Sequence, residues 1–185
     1  MRLEDTEKAL LQRFPEALAL IVSKDVKGKV NLCPIGYFSL VTWEPKVWAV
    51  AIYKSHYSTK IIKDTNEFVL CLPAIQQVKD VLYCGSVHGW TEDKTKRINL
   101  KFIKSKKVKP PIIEGSIACF ECKVIGKIKI EDHTLFLGKI VESYCSEKNW
   151  QDKIYNWDDK SLGIMQFGKK SMKISYSPQQ STKES

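Results

Sequence analysis

Two apolar, β-rich stretches, SIACFECKVIGKIKI and DHTLFLGKIVESYCS, are separated only by a turn around Glu131-Asp132. Strands joined that closely pair antiparallel, because a parallel crossover needs about a dozen residues or more. The same punctuation recurs upstream. ALALIVSK, the turn DVKG and KVNLCPIGYFSLVT propose a hairpin whose second strand runs out into a loop, with Asp25 and Gly28 supplying the turn chemistry. KVWAVAIY, after Glu44-Pro45, and EFVLCLP, stopped by Pro73, read as further strands. Helical spacing is confined to short pieces: part of the N-terminal arm, STKIIKDT, and IQQVKDVLYCG with Ile75, Val78, Val81 and Leu82 in register before Gly85. Hairpins without long crossover helices predict a mainly β fold with peripheral helices, an antiparallel barrel and not a doubly wound sheet. One domain is expected over residues 17–175, after an arm at 1–16 and before a disordered tail at 176–185. LGIMQFGKK near the end reads as a last short strand and turn.

Several function classes lose their markers. The chain has no G-x-G-x-x-G and no Walker sequence, so any nucleotide-like cofactor must bind another way. No apolar run approaches the ~18 residues of a membrane span, and MRLEDTEKALLQRF has no long apolar signal region, so no membrane partner and a cytoplasmic location are expected. The net charge of +9 is mostly lysine, densest in KFIKSKKVKPP, which reads as a solvated loop and not a base-stacking platform. No nucleic-acid partner is therefore expected. The six cysteines are scattered, and Cys119 and Cys122 of the lone C-x-x-C sit in a strand pattern that points them to opposite faces. Buried reduced thiols and no metal follow.

The segment AIYKSHYSTKIIKDTNEF begins as a strand and ends as a short amphipathic helix, joined by KSHYS. A helix N-terminus offers unpaired N–H groups and a positive dipole end to an anion. Lys54 adds a charge there, and Ser55 or Ser58 can donate to a phosphate. Ser58 can equally be an ordinary N-cap, with Lys54 facing water. The local sequence leaves both open.

The order of the segments carries more. GKVNLCPIGYFSLVTWEPKVWAVAIYKSHYSTKIIKDTNEFVLCLP, then YCGSVHGWTEDK, PPIIEGSIACFECKV and DHTLFLGKIVES together resemble the flavin reductase-like family with an FMN-binding split barrel, and within it the flavoredoxin-like branch. The resemblance runs from about residue 17 to about 145. It implies a six-stranded split β-barrel, a homodimer, and non-covalent FMN at the barrel edge. By the same resemblance Lys54, Ser55 and Ser58 hold the phosphate, with Tyr57-Ser58 standing where His-Thr is frequent. The loop Tyr37, Phe38, Ser39 and Leu40 lies along the isoalloxazine, and Asn31 contacts flavin or ribityl. Asp93 and Lys94 match the family's Asp-Lys pair, Lys94 serving the phosphate or the N1/O2 edge, while His88-Gly89 replaces a usual Ser-Gly. His133 matches a histidine common at the start of this strand, placed by the resemblance to approach the flavin or the entering nicotinamide, and is the one candidate catalytic side chain.

The resemblance implies electron transfer from NAD(P)H through FMN to flavin, ferric iron or a redox partner, with no side-chain acid, base or nucleophile required. Two alternatives stay open: an FMN electron carrier without NAD(P)H activity of its own, and a flavin-free basic barrel that binds nucleic acid or a protein.

Overall fold

The structure, a computed structural model, describes residues 5–147, 152–156 and 162–164. The elements in order are α1 (Thr6–Leu11), β1 (Glu16–Ala17), β2 (Ala19–Lys24), β3 (Val30–Ile35), β4 (Phe38–Thr42), β5 (Val47–Tyr53), α2 (Tyr57–Thr65), β6 (Glu67–Leu72) and α3 (Val78–Ser86). There follow β7 (Phe102–Ile103), β8 (Ile112–Ile113), β9 (Ala118–Ile130), β10 (His133–Cys145), β11 (Ile154–Asn156) and β12 (Leu162–Ile164). Single 3-10 turns at Ile75–Gln77 and Lys94–Lys96 precede and follow α3. The main sheet runs β3-β2-β6-β9-β10-β5-β4, and every pairing in it is antiparallel. Among the described residues no helix is long and apolar enough to cross a membrane.

This is the mainly β, hairpin-built barrel class that the strand pattern predicts. Its sheet has seven strands, one more than the six expected, because FSLVT is not a loop. After a tight turn in which Phe38 N–H donates to Gly36 O (3.1 Å), the chain adds β4 to the edge of β5, with Phe38 opposite Val50 and Leu40 opposite Trp48. A β-rich segment beside an open sheet edge satisfies its backbone there at no extra cost. The β2–β3 hairpin turns as expected: Asp25 Oδ1 accepts from the N–H groups of Lys27 and Lys29 (2.8 Å each), and Gly28 takes the positive φ of 93°.

The sheet is buried on both faces. Along β2, Leu20 and Val22 join an outer core with Val69, Cys71, Val81, Ile112 and Cys119, while Ala19 and Ile21 join an inner core with Val50, Phe68, Cys122 and Phe136. Cys119 and Cys122 thus lie on opposite faces, as their spacing requires. The lysine-rich loop is more ordered than a solvated run: the buried Glu121 carboxylate accepts from the N–H groups of Lys106 (2.8 Å), Lys107 (2.6 Å) and Val108 (3.1 Å) and from Tyr144 OH (2.5 Å). Burial alone raises that carboxyl, but the four hydrogen bonds together hold it below its ordinary value.

The N-terminal arm is tied in through β1, which pairs with β11 and places Glu16 opposite Asn156. β12 falls within the LGIMQFGKK segment and pairs with β11; the rest of that segment and the tail at 176–185 lie outside the described residues.

Candidate functional site

The strand-to-helix joint after β5 organises two adjoining cavities. Helix α2 is capped by His56, whose backbone is extended (φ −67°, ψ 141°) and whose side chain makes no capping bond. Ser58 is therefore not the N-cap; it is the second residue of the helix and fully buried. Its Oγ accepts from Asn31 Nδ2 (2.8 Å) and from Ser23 Oγ (3.3 Å), which ties α2 to β2 and β3. Thr59 Oγ1 donates to Tyr53 O (2.8 Å) and closes the turn. The N–H groups of Tyr57 and Ser58, at the first two helical positions, have no acceptor within the helix.

Beside this turn lies a small cavity of about 80 Å3, whose wall includes Asn31, His56, His88, Gly89, Trp90 and Lys94. Asn31 is 3% exposed and its Oδ1 has no hydrogen-bond partner, the kind of buried orphan that asks for a donor. Lys94 is 5% exposed, and its ammonium donates to Leu32 O (2.9 Å) and Cys84 O (2.5 Å). That accounts for two of its three N–H bonds. Burial pushes Lys94 below its ordinary value, against the pull of the Cys33 and Cys84 sulfurs. Gly89 is required by close approach: a Cβ there would meet Asn31 Oδ1 at 2.1 Å.

The wall of this cavity is braced. Trp90 packs at a tilt against Tyr57 (4.7 Å between centroids) and donates through Nε1 to Ser55 O (2.8 Å). Lys29 Nζ donates to Gly89 O (2.8 Å), and Tyr57 OH donates to Asp25 Oδ2 (2.8 Å).

A larger cleft of about 300 Å3 shares Pro34 and His56 with the first and is lined by Tyr37, Tyr53 and His133, with Arg13, Glu16 and Asn156 on the arm side. Its aromatic wall is continuous: His133 lies 5.7 Å from Tyr37 and 5.3 Å from Tyr53, which in turn lies 5.8 Å from His56. His133 Nδ1 bonds Asp132 Oδ1 (2.6 Å), and this contact holds the Asp132 carboxyl below its ordinary value. Cys33 Sγ is 3.4 Å from His56 Nδ1, but burial pushes that thiol up to about 11, and burial with the nearby charges of Lys94, His88 and His133 pushes His56 down. The pair is a neutral thiol beside a neutral imidazole, not an activated nucleophile.

Of the residues singled out in the sequence, Asn31 and Lys94 line the small cavity, Ser58 stands behind Asn31 and holds its amide, and Tyr37 and His133 line the cleft. Lys54 and Ser55 are exposed on the turn, Lys54 Nζ reaching Glu131 O at 3.4 Å. Phe38, Ser39 and Leu40 line neither cavity: the Phe38 ring packs against Trp48 (5.7 Å), and Ser39 and Leu40 are exposed on β4. Asp93 accepts from Thr95 N (3.2 Å) and Thr95 Oγ1 (2.6 Å), so it starts the turn that delivers Lys94 and does not face the site. Sequence reasoning passed over Tyr53, His56 and Arg13. One signal was available: all three histidines of the chain, His56, His88 and His133, line one cavity or the other. Among the described residues no cluster of three or more His, Cys, Asp or Glu could hold a metal ion.

Together the two cavities offer a cleft walled by tilted aromatic rings beside a polar recess that holds the Lys94 ammonium and borders the start of α2. The sequence profile of the flavin reductase like domain matches residues 11–163. A protein of Archaeoglobus fulgidus is 36% identical over 128 residues, covering 69% of this chain and 71% of its own. Among solved structures, flavoredoxin from Methanosarcina acetivorans superposes with a TM-score of 0.78 at 24% identity, over 95% of this chain and 97% of that one. An FMN-binding protein from Thermus thermophilus, solved with bound p-hydroxybenzaldehyde, gives 0.78 at 19% identity over 91% and 98%.

Proposed function

The chain belongs to the flavin reductase-like domain family, and on that premise we propose that it binds FMN non-covalently across the two cavities and accepts electrons from NAD(P)H. The observation that carries this reading is the buried, unpartnered Oδ1 of Asn31 in a recess that Lys94 also lines and that adjoins an aromatic cleft. An acceptor short of a donor and a donor with an N–H to spare fit a ligand rich in hydroxyl and carbonyl oxygens.

In this reading Tyr37, Tyr53 and His133 flank the ring, and Asn31 and Lys94 take its polar edge or the ribityl oxygens. Lys54, Ser55 and the N–H groups of Tyr57 and Ser58 take the phosphate, supported by the helix dipole. Ser58 acts indirectly: its hydroxyl orients Asn31. Bound FMN supplies two-electron redox chemistry, so no side chain need act as nucleophile. The cation at Lys94 favours negative charge that develops close to it. Asp132 fixes the His133 ring through Nδ1 and leaves Nε2 as the nitrogen open to a partner.

A second copy of the chain completes the proposal. Leu40 and Val41 on β4, Trp43 (75% exposed) in the turn after it, and Tyr37 and Tyr53 at the cleft mouth are large apolar side chains left exposed. We assign that surface to a homodimer.

The test is anaerobic mixing of the FMN-loaded protein with NADH or NADPH while the visible flavin band is followed. Bleaching with either donor supports the reductase. A bound flavin that bleaches with dithionite but with neither nucleotide makes the protein an electron carrier instead.

A further inference from the structure

The cysteine motif in β9 has a partner the sequence does not show. Cys119 lies directly opposite Cys71 of β6 in the antiparallel ladder. Facing residues in such a ladder are about 4.5 or 5.5 Å apart at Cα, and both spacings fall within the range that a disulfide spans. Both side chains point into the outer core, and their sulfurs are 2.9 Å apart. Cys122 lies in the inner core on the opposite face, so it does not compete.

We propose that Cys71 and Cys119 are a site of covalent modification: a cross-strand cystine that staples β6 to β9. The oxidant class is a low-molecular-weight disulfide. The Cys119 thiolate attacks one of its sulfurs, breaking that S–S bond and releasing one small thiol. Cys71 then attacks the Cys119 sulfur, releasing the second. Two protein S–H bonds are lost and one S–S bond is formed, while the small disulfide gains two electrons and two protons. The roles of the two sulfurs are interchangeable, because the exchange precedes the burial and the mutual contact that distinguish them in the folded chain. With exposures of 3% and 0%, the pair reacts while the chain folds, before α3 and β8 cover that face.

The experiment refolds the full chain from denaturant with oxidised glutathione present, alkylates the remaining thiols and maps the peptides. Two fewer of the six thiols should alkylate than after refolding with reduced glutathione, and the peptides carrying Cys71 and Cys119 should be joined. The oxidised form should melt about 5–15 °C higher, since the bridge closes a span of 48 residues. Cys71→Ala and Cys119→Ala should each abolish both effects. Six alkylated thiols, glutathione adducts alone, or a bridge joining any other pair would overturn the proposal. Because neither cysteine touches the two cavities, flavin binding is read separately and its failure would leave this test intact.

Discussion

Lys94→Met separates structural work from ligand work at one side chain. Methionine keeps most of the apolar stem and deletes the ammonium. Two carbonyls, Leu32 O at 2.9 Å and Cys84 O at 2.5 Å, then lose their donor. Each orphaned acceptor costs about 1–3 kcal/mol, partly offset because a charge is no longer buried, so a net loss of about 1–3 kcal/mol is expected. For a domain of this size that lowers the melting temperature by about 3–10 °C. The remaining N–H bond of the ammonium is the one assigned to the flavin. Losing a charge-assisted contact worth about 1.5–3 kcal/mol raises the Kd for FMN roughly 10- to 100-fold. Flavin fluorescence titration, run well below the melting temperature of the variant, reads the second effect without the first. A pH series adds a signature. Burial lowers Lys94 from 10.5, so wild-type affinity should fall with rising pH before an ordinary lysine would titrate, and K94M should lack that step. If K94M melts lower but binds FMN within about twofold of wild type, Lys94 is only a strut and the assignment fails.

Gly89→Ala places a Cβ 2.1 Å from Asn31 Oδ1; it should weaken FMN binding by roughly tenfold by displacing Asn31, while circular dichroism stays that of the wild type. Glu121→Gln turns one acceptor oxygen of a fully hydrogen-bonded carboxylate into a donor facing N–H groups, and should cost about 3–5 kcal/mol in urea unfolding. Because the folded pKa of Glu121 is lowered, its stabilisation is present above the unfolded value near 4.5 and disappears as pH falls through the folded value; wild-type stability should drop in that acid window, and that of E121Q should change less.

The hairpins were legible because period and punctuation are local properties. Asp25 and Gly28 announced the β2–β3 turn, and Glu131-Asp132 announced the β9–β10 turn. β4 was not, because FSLVT carries no signal for which edge it joins; only the geometry of β5 decides that. At the site, the local sequence left Ser58 open between a cap and a phosphate contact, and the structure removes the cap. A serine near a helix start looks like a cap, whereas burial against Ser23 and Asn31 makes it an internal brace. Lys94 and Asn31 are far apart in sequence, and their meeting depends on the Asp93 turn and on β3. The Cys71–Cys119 pair was invisible for the same reason: cross-strand register is a tertiary fact, while C-x-x-C is a local pattern that here joins nothing.

The central claim is that a phosphorylated flavin is held where β5 passes into α2, with Asn31 and Lys94 on its polar flank. Parallel fluorescence titrations of flavin-free protein with FMN and with riboflavin test it most directly. The account predicts saturable quenching by FMN, with riboflavin bound at least about tenfold more weakly for want of the phosphate contact. Equal affinity for the two, or no quenching by either, would contradict it.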